Sequence, residues 1–469
     1  MLPDCLESVR GVVDEIIVVD TGSTDRTREI AREHGASVLE FKWIDDFAAA
    51  RNYALEAAMG RWILLLDADE RLAKNAGKAL RKAIKSDVID CGLLPLHSAD
   101  SVNARAEDVI SGKRRLGEPT LLPRLFRRTD DLRWEGLIHE APSKWLARPG
   151  LKASTLEAPI VHLGDVPSIR TSLNKLDRNL NLLLKRREQQ PADVTTRVYI
   201  AEELYRKNKA HEAHAELERV WPMLTSHWKS LKSGSPTLDE VHLRTFSEKA
   251  ASLRMLLMIQ REEYKEALSM ALQCCKWQIE NPTLTYLEGV CYEQLALFSD
   301  KESTKRNHLE RARQAYISCL ERKDQLRAVP AMEGMTSWRA TVRLGAILLQ
   351  QGMPHMAKVQ YQRTLEVRYR HLDALLGLSE SLVDLGHQTE ALKILEPLLS
   401  PNNPDGHLLA AQAYRDLGAF KKAEKHLSTA YAGVRQYLRA PFRLTRLNRL
   451  IEEARSWPIH SDQASTKPR

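Results

Sequence analysis

Two short acid clusters, each at the end of an apolar run, are where this sequence most readily carries chemistry. Asp20-Thr-Gly-Ser follows the β-branched run Glu15–Val19, and Asp67-Ala-Asp69-Glu70 follows Trp62–Leu66. On an extended chain alternate side chains point the same way, so Asp67 and Asp69 can face one cavity. Two carboxylates with hard oxygens suit Mg²⁺ or Mn²⁺, which keep open positions for phosphate oxygens. A lone Asp-x-Asp is a common solvated turn. Its place after one apolar strand, matched by Asp20 after another, gives it weight. No GxGxxG opens either following helix, and neither GxxxxGK[ST] nor GxSxG occurs, which disfavours dinucleotide binding, P-loop chemistry and a hydrolase elbow.

The elements that must position these acids alternate. Glu15–Val19 reads as a strand and Thr24–His34 as an amphipathic helix with Ile30 and Ala31 inward, stopped by Gly35. Ser37–Phe41 reads as a second strand, and Phe47–Met59 as a helix capped by Asp46 and closed by Gly60. Trp62–Leu66, wholly apolar, suits a strand covered on both faces of a parallel sheet. This alternation predicts right-handed crossovers in a doubly wound sheet, with ligands at the carboxyl ends of the strands. Cys91–His97, Leu121–Arg128 and Pro159–Leu163 are further candidate strands. Residues 101–190 hold 17 Lys/Arg against 11 Asp/Glu, so most of the chain's excess positive charge lies beside the acidic pocket, where a phosphorylated ligand could use it.

At 469 residues the chain is too long for one compact domain. Charged residues at 28% and apolar residues at 43% allow a core and exclude wholesale disorder. A net charge of +8 is far from that of a dedicated nucleic-acid binder. Six scattered cysteines with no CxxC pair suggest neither a disulfide framework nor a zinc site, which suits a reducing cytosol. No run approaches the roughly 18–20 apolar residues of a membrane helix, and Met1-Leu2-Pro3-Asp4 shows no secretory pattern. A cytoplasmic protein is expected. After about Thr171 strand signals stop, and a turn residue followed five positions later by alanine recurs. It appears as Asn208…Ala213, Glu262…Ala267, Gly352…Ala357, Gly386…Ala391 and Gly418…Ala423. The last three alanines are 34 and 32 residues apart, the tetratricopeptide period. The polar tail Ser456–Arg469 is expected to fray.

Three motifs taken together carry a resemblance. Asp20-Thr-Gly-Ser-Thr-Asp25, Asp46-Phe-Ala-Ala-Ala-Arg51-Asn52 and Gly60-Arg-Trp-Ile-Leu-Leu-Leu-Asp67-Ala-Asp69-Glu70, in that order and spacing, resemble the inverting family-2 glycosyltransferases of GT-A fold. With the repeats, the chain is similar to a bacterial subgroup in which such a transferase is joined to helical repeats. The resemblance implies an α/β GT-A-like domain with a doubly wound, mostly parallel sheet over residues 1–170. A helical linker at 171–195, tetratricopeptide-like repeats at 196–440, and a terminal helix and tail at 441–469 would follow. It implies that Asp20 hydrogen-bonds a nucleobase, uracil for a UDP-sugar donor, and that Arg51 lies by the nucleotide's phosphate or ribose. Asp67 would touch ribose or metal, and Asp69 would ligate Mn²⁺ or Mg²⁺ on the diphosphate, with His162 as a further ligand.

The stretch Arg124-Leu-Phe-Arg127-Arg128 … Trp134-Glu135-Gly136-Leu-Ile-His139-Glu140 resembles the family's late motif. It offers Glu140 and Glu135 as candidates for the base that takes the acceptor proton, with Glu140 favoured. His139 would orient that acid or bind substrate, although a lone histidine is more often structural. The acceptor, a peptide, protein or glycan, is not specified by the match; the repeats would dock it or a protein partner, with no role for nucleic acid. The alternative is an inactive transferase fold serving as a repeat-based interaction module. One departure stands out: family members open with an extra strand ending in Asn-Glu, whereas here the first signal is a helix from Pro3. A gap in the sheet beside Glu15–Val19 is therefore expected, on the side that walls the nucleobase pocket. Either coding sequence lies upstream of Met1 or the transferase is compromised.

Overall fold

The computed structural model describes residues 1–86, 88–166, 169, 175–230, 238–277, 281–437 and 442–457. Most of the tail Ser456–Arg469, and residues 171–174 of the expected linker, lie outside the described residues. The chain divides into two compact units, one of Met1–Leu287 with Asp324–Glu333 and one of Glu288–Lys323 with Gly334–Arg469.

The first unit opens with α1 (Leu2–Val9), β1 (Ile17–Asp20), α2 (Thr27–Glu33), β2 (Ser37–Glu40), α3 (Phe47–Ala57) and β3 (Trp62–Leu64). The local causes are visible in the sequence. Asp46 caps α3 by accepting the Ala49 N–H at 2.9 Å, and Gly35 follows α2 at φ +79°. Then come β4 (Glu70–Leu72), α4 (Ala76–Ser86), β5 (Cys91–Ser98), the short α5 (Ala106–Ile110), β6 (Thr120–Arg127), the short α6 (Ser143–Leu146), β7 (Ala153–Thr155) and β8 (Ile160–His162).

β1 and β2 pair in parallel and form a sheet of their own. The larger sheet runs β3-β6-β5-β8-β4, with β7 on the start of β5. The α/β class stands, but this sheet is mixed rather than mostly parallel. β5 is parallel to β7 and β8, while β3–β6, β5–β6 and β4–β8 are antiparallel. The reason is connectivity: between β5 and β6 the chain makes only the short α5 and turns, and an antiparallel return needs no helical crossover.

Trp62, Leu64 and Leu66 pack on the core beneath α4 with Leu72, Leu80, Leu94 and Ile160; Ile63 and Leu65 pack on the opposite one with Phe126, Trp134 and Trp145. That is the period-two alternation of a strand covered on both faces. Coverage along the edge is incomplete. Among the described residues β1 pairs only with β2 and β3 only with β6, and Ile17, Val18, Val19 and Trp62–Leu66 are half-buried. The gap expected beside Glu15–Val19 is present.

The same unit continues into helices α7 (Lys175–Gln189), α8 (Val194–Arg206), α9 (Ala210–Ser230) and α10 (Leu238–Gln260), whose shared core takes in Ile138 of the preceding domain. α11 (Tyr264–Lys276) and α12 (Pro282–Leu297) follow, then α13 (Glu302–Glu321). The second unit contains the pairs α14 (Trp338–Gln350) with α15 (Pro354–Val367), α16 (Leu372–Asp384) with α17 (Gln388–Leu395), and α18 (Pro404–Asp416) with α19 (Phe420–Tyr437), and ends in α20 (Phe442–Ala454).

All five turn residues singled out in the sequence, Asn208, Glu262, Gly352, Gly386 and Gly418, have φ between +59° and +84°. The five paired alanines are completely buried. Small residues let the helices close up: a Cβ on Gly377 would stand 2.1 Å from the Tyr361 ring. These are tetratricopeptide-like helical pairs.

Candidate active site

The register of the larger sheet gathers the acids. Leu64 pairs with Leu125, and Leu65 N–H donates to Arg124 O at 2.8 Å, so Arg124 stands beside the end of β3 as it runs on to Asp67. Arg124 Nη2 donates to Asp67 Oδ2 at 3.1 Å and to Glu70 Oε1. From the other side Arg51, on α3, donates through Nη2 to Asp67 Oδ1 at 2.9 Å and through Nε to Glu140 Oε1. Asp67 is therefore held between two guanidiniums, and Arg51 links it to Glu140 across the chain. Burial alone would raise the Asp67 carboxyl, but Arg51 and Arg124 overcome it and hold it well below the usual carboxylate range. Burial, only partly offset by Arg124, lifts Glu70 to about 7, with the Asp67 charge adding to it.

Glu140 sits on a loop that is closed at its base by two hydrogen bonds between Glu135 and Ala141, at 3.0 and 3.2 Å. Asn52 clips the start of that loop to α3: its Nδ2 donates to Trp134 O at 3.0 Å and its Oδ1 accepts Trp134 N–H at 2.9 Å. Arg186 of α7 donates to Ile138 O at 2.9 Å, and the His139 ring stacks on Tyr199 of α8 at 3.9 Å and 15°. His139 thus packs against a helix, the structural role. The Glu140 side chain is 8% exposed, whereas Glu135 is 38% exposed and pairs with Lys144 at 2.6 Å. Of the two candidate bases, Glu140 joins the acidic network and Glu135 faces away to a surface lysine.

A second group adjoins the first. Glu70, His162 and Ser98 lie in one row, because β4 pairs Glu70 with His162 and β5 pairs Ser98 with His162. His162 Nε2 is 3.7 Å from Asp69 Oδ2 and its Nδ1 is 3.4 Å from Asp165, which also accepts from Ser98 at 2.8 Å. Burial opposes charge on His162, but its hydrogen bonds to Asp165 and Asp69 raise it to about 10. Gly164 leaves room for this pair: a Cβ there would lie 2.2 Å from Asp69 Oδ2 and 2.6 Å from His162 Nε2, so both side-chain ends would have to shift. Two ligands each about 2.1 Å from one divalent ion stand roughly 3–4 Å apart. The Asp69–His162 spacing fits such a half-site. No group of three or more His, Cys, Asp or Glu suited to a metal occurs among the described residues, so the other ligands would have to be water or substrate oxygens.

Asp20 engages a different set. It is 5% exposed at the end of β1; its carboxylate accepts the Ser23 N–H at 3.1 Å and stands 3.7 Å from Arg28. Sequence reasoning assigned no role to Arg124, Glu70, Gly164 or Asp165. Arg124 and Glu70 lay inside quoted motifs, and a buried Arg–Glu pair was the signal to look for.

Carboxylates and arginines thus converge at the strand ends of an α/β domain that is followed by helical pairs. Residues 1–149 match the model of the family described as glycosyl transferase family 2. The chain carries a family 2 glycosyltransferase domain. It is 44% identical over 142 residues to a TPR repeat-containing protein of Synechococcus elongatus, covering 30% of this chain and 32% of that one. It is 29% identical over 215 residues to the SPbeta prophage-derived glycosyltransferase SunS of Bacillus subtilis, covering 45% and 47%. The chain thus spans about a third of the length of the first of these curated relatives and about half of the second. A tetratricopeptide repeat protein from Parabacteroides merdae matches 61% of this chain and 94% of its own at 14% identity and a TM-score of 0.36, too loose a likeness to build on. No described helix is long and apolar enough to cross a membrane.

Proposed function

We propose that the protein is an inverting glycosyltransferase that moves a sugar from a nucleotide-sugar, a UDP-sugar in the first instance, to a peptide, protein or glycan acceptor docked with the help of the helical pairs. What supports this reading above all is the convergence of Arg51, Asp67, Asp69, Glu140 and His162, drawn from four separate segments, into two adjoining charge networks. Asp69 and His162, the latter after giving up its proton, would hold a divalent ion, a Lewis acid that offsets the charge on the leaving diphosphate. Arg51 orients Glu140 through its Nε–H. Glu140 then takes the proton of the acceptor nucleophile as that nucleophile bonds to the anomeric carbon and the bond to the diphosphate breaks, inverting the centre. Asp20 would receive the nucleobase, Arg51 the phosphate or ribose, and Asp67 the ribose or the metal.

The test is nucleotide release from a panel of UDP-sugars with Mn²⁺ or Mg²⁺, using cell lysate as acceptor. Asp69→Asn and Glu140→Gln should each lower turnover about 10²–10³-fold, with donor affinity falling only in Asp69→Asn. Turnover that survives EDTA would remove the metal role, and a collapse confined to Glu135→Gln would move the base.

A further inference from the structure

Away from the acidic site, α4 carries Lys78, Arg81, Lys82 and Lys85 and no acid from Ala76 to Ser86. At 100° per residue the four fall within about 100° of one face and extend over about 10 Å. Ala76, Leu80 and Ala83 occupy the opposite, buried face. All four cations are exposed, and with Ser86 they line one open depression. Arg81 donates to the Gly11 carbonyl at 2.7 Å; none of the four forms an ion pair with a described residue. Val88, 59% exposed, follows three residues beyond Lys85.

We propose that this face of α4 docks the protein on an anionic phospholipid surface. A solvated basic face is the ordinary reading of such a helix, but here no acid interrupts it from Ala76 to Ser86, with Asp87 next in the sequence. Three of the four groups are flexible ammonium ions, which make no geometric demand, and no aromatic ring stands among them to stack a nucleobase. Cations in one row on a rigid, core-anchored helix meet a plane of negative charge together, and an exposed valine at the end of the row can enter the headgroup layer. This docking is independent of the sugar-transfer reading.

The experiment is co-sedimentation of the full chain with vesicles of phosphatidylcholine alone and of phosphatidylcholine mixed with phosphatidylglycerol. Retention is expected only on the anionic vesicles and should vanish at high salt. Each cation near an anionic leaflet is worth about fivefold in partition. Lys78→Gln/Lys82→Gln/Lys85→Gln should therefore weaken binding about 10²-fold. Lys265→Gln/Lys276→Gln/Lys393→Gln, which removes the same charge from three other exposed positions, should leave it nearly unchanged. The proposal is overturned if anionic vesicles retain nothing at low salt, or if both triple variants lose binding equally. Stripe-dependent capture of polyglutamate or an RNA oligonucleotide without vesicle binding would also overturn it.

Discussion

Replacing Arg124 with methionine should leave two carboxylates without their shared cation, and the cost follows from the surroundings. Arg124 is 8% exposed and Glu70 only 1%. Arg124 Nη2 holds Asp67 Oδ2 at 3.1 Å as well as the Glu70 carboxylate, whose other oxygen accepts the Asp67 N–H at 3.0 Å. Methionine fills much of the arginine stem, so the charge effect dominates. Removing one partner of a buried pair costs about 3–5 kcal/mol, because the remaining charge stays desolvated. The loss has a pH signature. Glu70 already titrates at about 7, above the ordinary 4.5, because burial outweighs Arg124. A carboxyl raised in the fold destabilises it increasingly as pH climbs from the unfolded toward the folded value, here by about 3 kcal/mol, and not below. Without Arg124 the Glu70 value rises further, so the variant should lose most at pH 8 and much less at pH 5. Urea unfolding followed by tryptophan fluorescence at both pH values measures this. Arg124→Met/Glu70→Gln should recover more than half of the loss at pH 8. A loss below about 1 kcal/mol at pH 8, or an equal loss at both pH values, refutes the reasoning.

Gly164→Ala should push Asp69 and His162 apart and weaken Mn²⁺-dependent UDP binding about 10-fold or more, as read by titration calorimetry; unaltered binding would mean the pair holds no ion. His97 is 6% exposed and held at about 4 by burial and the neighbouring Arg115. Its neutral form suits the fold while the unfolded chain takes a proton near 6.5. Stability should therefore fall by up to about 3 kcal/mol as pH drops from 6.5 to 4, and His97→Gln should flatten that part of the profile. Glu262, exposed at φ +62°, should gain about 0.5–1 kcal/mol on replacement by glycine, seen as a higher midpoint in thermal melting.

Features set by neighbours along the chain were legible in the sequence. Asp46 as a cap, Gly35 as a helix stop, and the turn–alanine pairs all depend on contacts within a few residues. Even the two degenerate turns, Asn208 and Glu262, take the left-handed conformation the better-formed repeats predicted. Strand direction was harder to read. Apolar runs announce that Cys91–Ser98 and Thr120–Arg127 are strands, but nothing within them says which way they pair. The clue lay in the connection, since residues 99–119 hold no helix long enough to cross the sheet.

The acidic site divides along the same line. Asp67 and Asp69 stand two residues apart and were read together, yet they enter different networks: Asp67 is fixed by two arginines, and Asp69 faces His162. Arg124 looked like one more basic residue until the antiparallel register Leu64–Leu125 set it beside the end of β3. Arg186 and Tyr199, which brace the Glu140 loop, sit beyond the expected transferase boundary at residue 170. Their contacts make the first helices part of the site's scaffold. Acids on solvated turns would have no reason to meet partners 57 and 89 residues away in the chain, as Asp67 meets Arg124 and Glu140 meets Arg51. Burying such charges is costly unless they are paired, so the sheet register and the Asn52 clip must hold them together. That cost, accepted in a domain with ample apolar residues to fill a core, is the physical reason to read the cluster as a site rather than as part of the packing.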